Sequence, residues 1–159
     1  MDPSADSRPR VLVVDDDGDL RAALQDVLED AGYDVSSARD GADACKQLAS
    51  AEPLPDLMVV DLFMPVLDGW GLVRAVRGDL LYAGIPVIIM TAAGASVLAT
   101  APVVAGYVTK PINIDLLLSM VRRALSLRAG AGLGQSGTHP RPSLLPAALP
   151  IDDEDSAAG

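Results

Sequence analysis

Residues 11–20 read VLVVDDDGDL: four aliphatic side chains run without a break into three aspartates, a glycine and a fourth aspartate. An aliphatic run with no polar alternation is the pattern of a strand buried on both faces. Like charges gathered at its end repel one another, so a cation or a proton belongs beside them. Beyond this point the period changes. Leu20, Ala23, Leu24, Val27 and Leu28 recur at helical spacing, with Arg21, Asp26, Glu29 and Asp30 between them, as far as Gly32. Strand, acidic turn and helix make one βα unit.

The rest of the chain repeats that unit. YDVSSA (33–38) reads as a half-polar second strand, and ADACKQLASA (42–51) as a helix with Ala44, Cys45, Leu48 and Ala49 on its apolar face. DLMVVDL (56–62) is a third strand and GWGLVRAVRG (69–78) a third helix. PVIIMT (86–91) and GYVT (106–109) are the last two strands, and INIDLLLSMVRRALSL (112–127) is a closing helix. Aliphatic strands separated by helices predict an α/β fold, a doubly wound five-stranded parallel sheet covered on both faces. Ligands of such sheets bind beyond the carboxyl ends of the strands. The residues falling there are Asp15, Asp16, Asp61, Thr91 and Lys110, all polar and all on one rim.

Composition narrows the classes. At 159 residues and 50% hydrophobic content, the chain suits one domain with a real core. A net charge of −10 argues against nucleic acid or an anionic membrane as the main partner and favours a protein or a cation. Cys45 has no second cysteine to pair with, and MDPSADSRPR has no apolar run that could act as a signal peptide, so a cytoplasmic location is expected. Residues 80–109 carry no charge, yet Pro86, Pro102 and many Ala and Gly residues suit buried strands and loops better than a membrane span. The expected layout is a flexible leader at 1–9, the domain at 10–128, and a disordered Gly-, Pro- and Ala-rich tail with an acidic end at 129–159. In that tail His139 reads as a solvated loop residue and the acidic run 152–155 as solubilising. LLPAALP (144–150) is a candidate docking segment.

Three carboxylates on adjacent strand ends form an oxygen-rich pocket that suits Mg2+, a hard cation that takes one or two carboxylates and keeps its waters. The Lys110 ammonium balances more of the charge, and the Thr91 hydroxyl is a further donor. An aspartate nucleophile, a metal and donors for phosphoryl oxygens are what phosphorylation of a carboxylate requires. The chain here resembles the receiver domains of two-component response regulators. The resemblance rests on VVDD (13–16) followed by Arg21, DLFMPVLDG (61–69), MTA (90–92) and GYVTKP (106–111), and covers most of 10–128.

That resemblance implies a flavodoxin-like strand order 2-1-3-4-5. It implies Asp61 as phosphoacceptor, Asp16 as a direct Mg2+ ligand, Asp15 acting mostly through water and the Phe63 carbonyl as a third protein ligand. Lys110, followed by a cis peptide to Pro111, would contact the phosphoryl group, and Thr91 with Tyr107 would form the switch pair. The implied protein is a phosphoacceptor, not an enzyme in the ordinary sense, that assists its own phosphoryl transfer and dephosphorylation. A histidine kinase or phosphotransfer protein would act upstream and a protein target downstream, with room for a homodimer.

Around that site, Asp19 is expected to cap the first helix with Asp17 solvated, Asp68–Gly69 to start the third helix, and Trp70 to pack. The uncharged segment 94–105 departs from the family pattern: Pro102 costs a helix about 3 kcal/mol, so a fourth helix there should be short, broken or absent. Two rival readings remain. DDDGDL also looks like the nucleophile loop of haloacid dehalogenase-type phosphatases, with Asp15 and Asp17 as nucleophile and acid. A receiver-like docking module that is never phosphorylated is the other.

Overall fold

Five strands lie parallel in the order β2-β1-β3-β4-β5. The computed structural model describes residues 7–92 and 104–131. The strands are β1 (Arg10–Val14), β2 (Asp34–Ala38), β3 (Leu57–Asp61), β4 (Val87–Thr91) and β5 (Gly106–Thr109). Between and after them run α1 (Gly18–Asp30), α2 (Gly41–Ser50), α3 (Gly69–Arg77) and α4 (Ile114–Ala131). The sheet order is the expected one, and the first strand sits near its middle. The segment expected to hold a short or broken helix before β5 lies outside the described residues except for Val104 and Ala105.

The strands are aliphatic throughout because both faces are covered. Leu12, Val14, Met58, Val60, Val87 and Ile89 face Ala44, Cys45 and Leu48 of α2 and Leu72, Val73 and Val76 of α3. The alternate residues Val11, Val13, Leu57, Val59, Ile88 and Met90 face Leu24 and Leu28 of α1 and Leu117 and Val121 of α4. Burial of each such side chain is worth about 1.5–3 kcal/mol over leaving it exposed. Cys45 belongs to this core, and burial pushes its thiol up to about 11, which disfavours the thiolate.

Aspartates cap the first three helices. Asp40 accepts from the Asp43 N–H at 2.7 Å and Asp68 from the Gly71 N–H at 2.8 Å. For α1 the cap is Asp17, which accepts from the N–H groups of Asp19 and Leu20 at 3.0 and 3.2 Å. This corrects the expectation of Asp19 as cap and Asp17 as a merely solvated residue. The helix begins two residues earlier, at Gly18, and Gly32 ends it with a φ of 102° that favours glycine. The last helix, α4, runs on to Ala131, past the boundary at 128 expected from composition. No helix among the described residues is long and apolar enough to cross a membrane.

Candidate functional site

The register of the sheet assembles the rim. Val14 pairs with Val60, so Asp15 and Asp61 leave adjacent strands side by side. Thr91 pairs with Thr109, which brings Lys110 to the same edge two strands away from β3. The Lys110 N–H donates to the Thr91 carbonyl at 2.9 Å and anchors the lysine backbone there. Its side chain then spans β4, placing Nζ 3.3 Å from Asp15 Oδ2 and 3.2 Å from Asp61 Oδ1. One carboxylate oxygen from each of Asp15, Asp16 and Asp61 lies within 4.8 Å of the others, the one such acidic group among the described residues. The haloacid-type reading needs a second acidic pair after the lysine, and Asp115, in the first turn of α4, is exposed.

Several contacts fix these groups, and two of them involve residues whose part was not legible in the sequence. The Asp17 N–H donates to Asp15 Oδ1 at 2.9 Å, and Arg21 Nη1 donates to the Asp15 carbonyl at 2.6 Å. Asp17 thus orients Asp15 with its backbone while its side chain starts α1. Gly69 packs against the backbone of the other aspartate: a Cβ there would lie 2.6 Å from the Asp61 carbonyl oxygen, so only glycine lets α3 begin against the end of β3. Its N–H donates to the Leu62 carbonyl at 2.9 Å. Between them Val66 has φ 70° and is 77% exposed, a left-handed conformation that costs a β-branched residue about 1–2 kcal/mol.

Electrostatically the site is short of positive charge. Asp15 is 0% and Asp61 4% exposed, whereas Asp16 stands in solvent. Burial is the main force raising the Asp15 pKa, opposed by the Asp17 N–H and Lys110. Burial also leads for Asp61, reinforced by the negative charge of Asp15 and opposed by Lys110. Burial works against the charge of Lys110 as well, yet its bonds to Asp61 and the two carboxylate charges outweigh it and raise its pKa. Three carboxylates share one ammonium. Their oxygen-only donor set and the uncompensated negative charge fit a hard divalent cation such as Mg2+.

The remaining candidates lie around this core. Thr91 is fully buried at the end of β4. Tyr107 pairs in register with Ile89 and shares its face of the sheet, so Thr91 and Tyr107 are diagonal neighbours on one face. The Tyr107 ring meets Trp70 edge to face at 6.3 Å, which gives Trp70 the packing role expected of it. Phe63 follows β3 with its side chain 59% exposed. The peptide between Lys110 and Pro111 is cis, as is that between Glu52 and Pro53.

Fold and rim together define a doubly wound α/β domain whose acidic pocket lies beyond the strand ends where the sheet order reverses. The chain belongs to the response regulator receiver domain family, whose sequence profile matches residues 11–122. It is 38% identical over 135 residues to the transcriptional regulatory protein PrrA of Mycobacterium leprae, covering 83% of this chain and 56% of that protein. It is 36% identical over 120 residues to the DNA-binding dual master transcriptional regulator RpaA of Synechocystis, covering 74% and 49%. The chain therefore spans about half the length of these relatives. Among solved structures, the receiver domain of a signal transduction histidine kinase from Syntrophus aciditrophicus has a TM-score of 0.72 at 29% identity, covering 84% of this chain and 98% of that one. The chemotaxis response regulator CheY4 of Vibrio cholerae has a TM-score of 0.68 at 30% identity, covering 74% and 99%.

Proposed function

We propose that this protein accepts a phosphoryl group on Asp61 from a histidine kinase or phosphotransfer protein and signals by changing its affinity for a protein target. The observation that carries this reading is the Lys110 ammonium, bonded at once to the buried Asp61 and Asp15. A carboxylate that is buried and held beside a single ammonium shared with a second carboxylate is placed to act as a nucleophile once a further cation joins it. An Asp61 oxygen attacks phosphorus, the bond from phosphorus to the donor imidazole nitrogen breaks, and the imidazole takes up a proton. Lys110 then follows the charge from the carboxylate to a phosphoryl oxygen, and the Thr91 hydroxyl donates to another. Asp16, Asp61 and the Phe63 carbonyl would hold Mg2+, with Asp15 acting through water. When bound, the ion supplies charge neutralisation for the incoming phosphoryl oxygens.

Thr91 and Tyr107 are the proposed switch pair: the hydroxyl drawn toward the phosphoryl group makes room for the ring of its diagonal neighbour to turn inward. The setting we infer is the cytoplasm, in keeping with the absence of an apolar run in MDPSADSRPR. Intact-mass measurement after incubation with acetyl phosphate and Mg2+ tests the reading. The wild-type chain should gain one phosphoryl group and Asp61→Asn none. Labelling of Asp61→Asn at Asp15 or Asp17 would favour the phosphatase-like reading, and an unlabelled wild-type chain would favour a docking module.

A further inference from the structure

At the rim opposite the acidic pocket, α4 and the approaches to β4 and β5 enclose an open groove of about 500 Å3 whose lining includes Pro86, Ala105, Met120, Arg123, Leu127 and Arg128. Its floor is apolar, and Leu127 stands 66% exposed at its edge. Its charge is unlike that of the molecule. The chain as a whole carries −10, yet after Asp115 the helix α4 has no acidic residue and three arginines, Arg122, Arg123 and Arg128. Arg128 lies in the last turn, where it meets the negative end of the helix dipole, and it is bound to the Pro55 carbonyl and Asp56. Arg122 and Arg123 have no hydrogen-bond or ion-pair partner among the described residues.

We propose that residues 144–155 of this same chain, LLPAALPIDDED, occupy this groove. The segment matches it in both respects: Leu144, Leu145, Leu149 and Ile151 suit the apolar floor, and the four acids that follow suit Arg123 in the lining and Arg122 next to it on α4. At the rim of Asp15, Asp16, Asp17 and Asp19 the acids would meet repulsion. Reach is ample, because α4 ends at Ala131 beside the groove and residues 132–143 can extend about 40 Å. Tethering raises the local concentration of the segment far above that of a second molecule. The contact lies at the far rim from Asp61 and does not depend on phosphorylation.

Amide NMR spectra of the full chain test this. Neutralising the four acids together (Asp152→Asn, Asp153→Asn, Glu154→Gln, Asp155→Asn) should move the amides of Ala105 and of Met120 to Arg128 and leave those of the acidic rim in place. Leu144→Ser with Leu145→Ser should move the same set, and so should about 1 M salt, where the screening length falls to about 3 Å. In the wild-type chain those amides should not change on dilution. Groove amides indifferent to both sets of variants would overturn the proposal. Amides that shift with dilution would overturn it in favour of a second copy of the chain.

Discussion

The two rims of the sheet carry the same kinds of residue and use them in opposite ways. At the amino-terminal ends of the strands Arg10 meets Asp34 at 3.8 Å and Arg128 meets Asp56 at 3.5 Å, one guanidinium to each carboxylate and all four side chains at least 34% exposed. At the carboxyl ends Asp15 and Asp61, 0% and 6% exposed at the side chain, share a single lysine with Asp16 close by. Balanced, solvated pairs contribute little to stability and constrain nothing. An unbalanced buried cluster costs stability in the absence of a further cation. Burial combined with a charge mismatch therefore marks the candidate rim, and the number of ion pairs does not.

The comparison breaks most visibly at Lys110. Lys110→Ala leaves Asp15 and Asp61 buried with no cation, and the loss should be about 2 kcal/mol in urea unfolding at neutral pH, somewhat below the figure for a fully buried pair because Lys110 is 25% exposed. Labelling by acetyl phosphate should fall with it. A variant as stable as the wild type would mean that the lysine balances no charge that matters to the fold.

Acid sharpens the contrast. Asp15 and Asp61 hold protons more tightly in the folded state, mainly because they are buried, so their protonation favours folding. The metal-free protein should grow more stable as pH falls from neutral through their raised folded pKa values. That gain should level off near the ordinary value of 3.8, where the unfolded chain takes up protons as well. Lys110, whose pKa is raised, contributes stability that is complete below 10.5 and is lost as pH climbs through its folded value. Urea midpoints measured against pH should show the acid-side rise in the wild type and a smaller one in Asp15→Asn. Saturating Mg2+ should suppress it, since ion and proton compete for the same oxygens.

Most of this architecture was legible before the fold was known, because period and strand-end chemistry are properties of short stretches. VLVV, LMVVD and VIIMT announce a two-sided core, and the polar residue that follows or ends each one falls on the same rim whatever the loops do. The cap of α1 was not legible. Asp17 and Asp19 both precede an apolar period, and the choice depends on where the backbone turns, which is set by the Asp17 N–H binding Asp15. Arg21 looked like a solvent-facing helix residue, and its bond to the Asp15 carbonyl arises only when α1 packs back over β1. Nor did spacing reveal that Val66 would adopt φ 70° without the help of glycine.

A smaller effect is expected at Asp16, which is exposed and whose charge raises the pKa values of both buried neighbours. Asp16→Ala relieves that repulsion and should stabilise the metal-free fold by about 0.5 kcal/mol, the scale of a charge interaction that water still screens. The same change removes a proposed Mg2+ ligand, so the rise in melting temperature on adding Mg2+ should largely disappear. A less stable metal-free variant that still responds to Mg2+ would mean that the cation is held elsewhere on the rim.

The smallest effect belongs to the opposite rim, and it is the control that gives the larger ones their meaning. Arg10→Gln keeps most of the side-chain stem and removes the charge that faces Asp34, a carboxylate 60% exposed to water. The backbone bond from the Arg10 N–H to Asp56 Oδ2, at 2.8 Å, is untouched by the substitution. Water resolvates Asp34 once its partner is gone, so the loss should stay below about 1 kcal/mol and shrink further in salt. Acetyl phosphate labelling and the Mg2+ response should remain those of the wild type. If Arg10→Gln instead costs as much as Lys110→Ala, charge imbalance and burial no longer separate the rims, and the acidic cluster loses its standing as the functional one on physical grounds.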